Sequence, residues 1–201
     1  MFNNNLLIEP FFIATFVCAC TCIIPWIALT ITNGIGIIDV FWPFFFFIHL
    51  LVNFIYALHS KYIIINNFSV TMSFLILVWA IRLATYCFKK GYKNKFYDKR
   101  YSLIQKNWKK PKLISIFYFM FQSAIASICC IGITFIFISV NNKDSLYINI
   151  IKIMLIILAF VGMIITIISD SQLKKFKKSN NKTFLNTELW KYSRHPNYFG
   201  E

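Results

Sequence analysis

Apolar residues fall in five long runs separated by polar stretches: Phe11 to Ile31, Val40 to His59, Phe68 to Phe88, Leu113 to Val140 and Ile148 to Ile168. A helix needs about 20 residues to cross roughly 30 Å of hydrocarbon, so each run is long enough to span a bilayer. No water is available there to satisfy backbone amides, which makes each run helical. The fourth run has 28 uncharged residues, more than a straight crossing needs, and should tilt or lay one end in the interface. Pro25 and Pro43 should kink the first two. The stretch Met1 to Pro10 carries no Lys or Arg and no small-residue cleavage signal follows it, so the first run reads as a span and not as a removed signal peptide. The expected fold class is all-α: a polytopic transmembrane helical bundle of five spans, forming one domain over residues 1–201.

Composition narrows the function classes. With 58% apolar and 14% charged residues, the chain is far from a water-soluble domain and too apolar for disorder. Its 21 Lys and Arg against 7 Asp and Glu give a net charge of +14. These cations flank the spans in two blocks instead of covering a folded face, which disfavours nucleic acid as a partner. Lys89 to Lys112 holds ten cations and one acid, Asp98, whereas the second and fourth loops hold only Lys61 and Lys143. The positive-inside rule then places Lys89 to Lys112 and everything after Ile168 in the cytosol, with the N-terminus and the other two loops outside. The basic loop should lie on the anionic leaflet with Trp108 at the interface.

Polar residues within the spans are the next pointers, since each is costly in hydrocarbon. Arg82 sits about 9 Å from the cytosolic rim at 1.5 Å per residue, where it either snorkels or faces inward. Lys152 should snorkel outward, and His49 reads as a hydrogen-bonded core histidine in preference to a proton relay. Asp39 and Asp170 both lie at cytosolic span ends. Cys18, Cys20 and Cys22 resemble a ligand cluster on paper, but at 100° per residue Cys20 points away from the other two, and no metal site is expected. Asn181-Lys182-Thr183 has the pattern of a glycosylation sequon, unused if cytosolic.

The segment from Glu188 to Glu201 is rich in polar and aromatic types without being a charge run. Arg194 and His195 precede Pro196, and proline is favoured at the first helical position. A helix starting there would point free amides back towards two cationic side chains, an arrangement suited to a phosphate or a carboxylate. Asn197 and Glu201 follow at i and i+4 on one face, able to bond ribose, amide or amine groups. The competing reading is an interfacial anchor, with Trp190, Tyr192 and Tyr198 at headgroup depth and Lys191 and Arg194 on lipid phosphates.

The string Leu189-Trp-Lys-Tyr-Ser-Arg-His-Pro-Asn-Tyr-Phe-Gly-Glu201 resembles the signature of the steroid 5-alpha-reductase-like membrane proteins, particularly their poorly characterised branch. Three upstream pieces match in order: Asp39-Val-Phe-Trp42, Trp79-Ala-Ile-Arg-Leu83 followed by Asp98-Lys-Arg-Tyr101, and Asp170-Ser-Gln-Leu-Lys-Lys-Phe176. The resemblance implies NADPH-dependent reduction of a carbon-carbon double bond in a lipid- or steroid-like substrate, in the endoplasmic reticulum or another internal membrane. By position it implies Asp170, Asn197 and Glu201 as cofactor contacts, with Arg194, His195 and Tyr198 added as members of the motif; Asp98 and Arg100 would lie near the cofactor. The family's tyrosine and glutamate pair for carbonyl polarisation has no evident counterpart, so the catalytic residue stays open.

Two departures qualify this. Tyr97 stands where an acid commonly precedes the aspartate, and the family chain continues past the glycine-glutamate with a further apolar segment. The resemblance therefore implies a fragment lacking a C-terminal helix, in which the helix after Pro196 is too short to nucleate. Asn197 and Glu201 would then lack a fixed position, and the 201-residue chain would be inactive. Membrane methyltransferases acting on isoprenylcysteine or phospholipid headgroups share an arginine-histidine-proline-x-tyrosine motif around S-adenosylmethionine and supply an alternative; an inactive scaffold is the third. The pieces at Asp39 to Trp42 and Asp170 to Gln172 look like the reductase branch.

Overall fold

A computed structural model describes residues 5–60, 65–137, 145–179 and 184–201. Lys61, Lys143, the Asn181 to Thr183 sequon and the end of the fourth run lie outside these. Among the described residues all regular structure is helical: α1 (Asn5–Thr21), α2 (Ile23–Thr32), α3 (Ile38–His59), α4 (Asn67–Lys93), α5 (Lys99–Gln105), α6 (Pro111–Cys129), α7 (Ile131–Ile136), α8 (Leu146–Lys178) and α9 (Pro196–Gly200), with short 3-10 turns at Ile35–Ile37 and Glu188–Lys191. Five stretches are long and apolar enough to cross a membrane: Ile8–Thr32, Ile35–His59, Asn67–Lys93, Pro111–Ile136 and Leu146–Lys178. The hydropathy pattern thus gives the right number of spans in the right places. Two outlast their apolar runs, α4 by continuing to Lys93 and α8 by continuing to Lys178. Both extensions carry lysines, and cations suit the last turn of a helix.

The first span breaks at Cys22, between α1 and α2. Pro25 explains it: it has no N–H for the carbonyl of Thr21, and its ring crowds that carbonyl. Pro43 has no such effect, and α3 runs through it. The fourth run is two helices, not one long tilted helix, with Cys130 at the junction.

The chain forms two compact units, residues 1–142 and 143–201. In the first, α3 packs against α1, α4, α6 and α7. Cys18, Cys22, Phe45, Phe119 and Ala126 are buried in the core. The thiols of Cys18 and Cys22 donate to the carbonyls of Phe45 and Phe119, whereas Cys20 is exposed, as helical spacing requires. His49 is fully buried, 3.0 Å from the Ser127 hydroxyl and beside the Phe11 ring. The core-histidine reading therefore holds.

One local lock shapes the rim of this unit. After α4, Lys95 and Phe96 take left-handed backbone conformations, with φ of 50° and 55°. That reversal turns the Phe96 ring inward, where it is 7% exposed. Three glycines make the space. A β-carbon on Gly34 would lie 2.4 Å from the Lys95 carbonyl oxygen, one on Gly36 2.7 Å from the Phe96 carbonyl oxygen, and one on Gly91 2.4 Å from the Phe96 ring. The Gly36 N–H then donates to the Phe96 carbonyl at 3.1 Å. The basic loop is thereby pinned to the turn that opens α3.

In the second unit α9 packs on α8. Gly162, Thr166, Ser169 and Asp170 sit at i, i+4, i+7 and i+8, one stripe along α8. A β-carbon on Gly200 would lie 2.5 Å from the Gly162 carbonyl oxygen and 2.4 Å from the Thr166 hydroxyl. The two backbones touch directly, the close approach that small residues permit between helices in membranes.

Candidate functional site

Two polar clusters among the described residues, one in each unit, hold the residues that the sequence singles out. In the first, the lock brings α5 against the start of α3. Asp98 caps α5 by accepting from the Arg100 N–H, and its two carboxylate oxygens accept from Arg100 Nε at 3.0 Å and Nη2 at 2.8 Å. Arg100 Nη2 also lies 3.6 Å from the Asp39 carboxylate. The other Asp39 oxygen accepts from the Tyr101 hydroxyl. The ring of Tyr101 packs edge-on to Tyr118, whose hydroxyl accepts from Gln122.

The electrostatics follow from these contacts. Hydrogen bonds from Arg100 hold the Asp98 carboxyl below its usual range, and the same bonds raise the Arg100 guanidinium further. Burial pushes the Tyr101 hydroxyl up, and the negative charge of Asp39 adds to that. Arg100 is therefore engaged by two carboxylates. It ties the loop together through Asp98 and Asp39.

The second cluster contains the motif residues. The chain before α9 is held by the Trp190 indole N–H, which donates to the Ser169 carbonyl at 3.2 Å. Glu188 takes a left-handed φ of 55° at the start of the 3-10 turn. The His195 N–H is satisfied by the Ser193 hydroxyl at 3.2 Å. Pro196 is buried at the first position of α9. Asn197 then donates from Nδ2 to Asp170 at 3.2 Å, while its Oδ1 has no hydrogen-bond partner.

The structure brings together Asp170 with Asn197, and His195 with the rings of Trp190 and Tyr198, at 6.5 and 5.4 Å between centroids. Arg194, Tyr198 and Glu201 are exposed, and the Glu201 N–H returns to the Asn197 carbonyl at 3.3 Å, in helical register. The expectation that this turn could not form is overturned. Isolated nucleation is unfavourable, but α9 does not nucleate alone: Gly200 seats on Gly162 and Thr166, and Asn197 is fixed on Asp170. Since α9 has only five residues, its dipole is small, so any anion chemistry rests on the side chains of Arg194 and His195.

Gly162, Thr166 and Ser169 carry this arrangement and were not singled out in the sequence. Their spacing into Asp170 was the available signal.

The sequence matches the family described as protein of unknown function (DUF1295) over residues 25–201, a range that contains both clusters. No curated protein and no solved structure matches the chain.

Proposed function

The chain belongs to the DUF1295 family, and on that premise we propose that it is a membrane-embedded, NADPH-dependent reductase of a carbon-carbon double bond in a lipid- or steroid-like substrate, of the steroid 5-alpha-reductase type. The observation that carries this reading is the docked motif: Asn197 held on Asp170 through Nδ2 with its side-chain Oδ1 unpartnered, three residues after the exposed cation Arg194. This set fits a ligand bearing phosphate and sugar. Arg194 would take the phosphate with charge-assisted hydrogen bonds. Asp170 and the Asn197 carbonyl would accept from hydroxyl or amide donors. His195 and Tyr198 offer ring faces beside them, and Glu201 a further acceptor.

When bound, the reduced nicotinamide supplies a hydride to the β-carbon of an enone, and a proton at the α-carbon completes the reduction. The protein's part is to position the cofactor and to admit a greasy substrate from the bilayer, to which apolar faces of the spans are open. On the charge pattern, the motif and the basic loop face the cytosol, and an internal membrane is the expected site.

Binding measured by energy transfer from tryptophan to the nicotinamide, in nanodiscs, tests the reading. NADPH should bind more tightly than NADH, and Arg194→Ala should remove most of that preference. Binding of S-adenosylmethionine without NADPH would instead assign the site to a methyltransferase.

A further inference from the structure

The basic loop has features that the reductase reading leaves unused. All nine of its lysines, at 89, 90, 93, 95, 99, 106, 109, 110 and 112, are exposed. Its one acid, Asp98, is engaged by Arg100, so the lysines face solvent without internal compensation from the loop itself. Among them stand apolar side chains that are also exposed: Tyr92 at 71%, Tyr97 at 64%, Leu103 at 62% and Ile104 at 43%. Leu103 follows Lys99 at i+4 on α5, and Lys106, the residue that caps the C-terminus of α5, follows at i+7. Trp108, the expected interfacial residue, is half-buried and packs against the Tyr118 ring at 6.0 Å. A soluble surface has no reason to interleave leucine, isoleucine and tyrosine with lysine in this way. A helix lying in the headgroup region does, because its apolar residues reach the acyl boundary while its cations meet phosphates.

This surface is also built and not floppy. The Phe96 knob among Gly34, Gly36 and Gly91, the Gly36 to Phe96 hydrogen bond and the Tyr101 to Asp39 bond fix α5 to the start of α3. We propose that the end of α4 and α5 form a preorganised docking surface for the anionic phospholipid headgroups of the adjacent leaflet, with Leu103 and Ile104 entering the acyl boundary between Lys99 and Lys106. Charge complementarity selects this occupant: nine cations beside an apolar edge match a negatively charged lipid surface and not an acidic protein, which would leave Leu103 and Ile104 unburied or need its own apolar patch.

Amide hydrogen exchange of the protein in nanodiscs tests this. Discs of phosphatidylcholine with phosphatidylserine should slow exchange over α5 by about tenfold relative to phosphatidylcholine alone, with α3 unchanged. Lys99→Gln with Lys106→Gln should abolish the slowing, and Leu103→Asn should weaken it while keeping the charge. Equal exchange in both membranes would overturn the proposal. So would full slowing by inorganic phosphate in phosphatidylcholine discs, which would indicate a simple anion site.

Discussion

The two polar clusters use similar residues in opposite ways. At the rim of the first unit, Arg100 is held by two carboxylates and Asp39 is capped by Tyr101, so each charge has its counterpart within the protein. In the second unit Arg194 is exposed, and the Asn197 side-chain oxygen Oδ1 has no hydrogen-bond partner although its Nδ2 is fixed on Asp170. Binding energy for a ligand is available only where groups are oriented but not satisfied. On that criterion the first cluster is architecture, and the second is the one we propose as a receiving site.

The sharpest test of this contrast is steric. Gly34→Val places a side chain against the Lys95 backbone, where nothing can move aside cheaply, and should cost about 3 kcal/mol of stability. The check is thermal unfolding in detergent, and an unchanged midpoint would remove the lock from the account. Next come the two arginines. Arg194→Ala should weaken NADPH binding by about 1.5–3 kcal/mol with the unfolding midpoint unchanged; Arg100→Ala should do the reverse, lowering the midpoint and leaving affinity alone. If the two variants exchanged behaviours, the assignment of roles would be inverted. Asn197→Asp removes the donor that meets Asp170 and sets two carboxylates side by side, so α9 should loosen by about 1–2 kcal/mol. Hydrogen exchange over Pro196–Gly200 would read it.

The smallest effect is that of Tyr101→Phe, about 1 kcal/mol, and it carries a pH signature. The Tyr101 hydroxyl is raised in the folded state, so its contribution is complete below about pH 10, the unfolded value, and is lost as pH climbs through the folded one. Asp98 is lowered, so its contribution is present above about pH 4 and is lost on acidification through the folded value. Between those limits neither group changes its contribution. A difference in unfolding midpoint between Tyr101→Phe and the parent chain that itself changes between about pH 6 and 8 would contradict this.

Much of this was legible in the sequence because it depends on local pattern. Hydropathy gives the five spans, Pro25 announces the break in the first, and helical spacing separates Cys20 from Cys18 and Cys22. The resemblance named Asp170 and Asn197 together as cofactor contacts, but their hydrogen bond, across 27 positions, was not legible. The Phe96 knob was not legible. It joins residues near 34 to residues near 96, and neither Asn33-Gly34-Ile35-Gly36 nor Lys95-Phe96 indicates the other. The packing of Trp108 on Tyr118 was likewise not legible, because it depends on tertiary contact. The turn after Pro196 was misjudged by treating a docked segment as an isolated peptide.

The polar stripe of α8 also bears on how the protein is made. The Thr166 hydroxyl donates to the Gly162 carbonyl and the Ser169 hydroxyl to Ile165 and Thr166, all within the same helix. A newly synthesised α8 can therefore leave the translocon for lipid with these hydroxyls already satisfied, before the motif segment has emerged from the ribosome. When α9 arrives, the Thr166 hydroxyl need only share itself with the Asn197 carbonyl, 3.4 Å away, and the glycines let the backbones close. The contacts with α9 are thus added to hydroxyls that α8 already satisfies by itself.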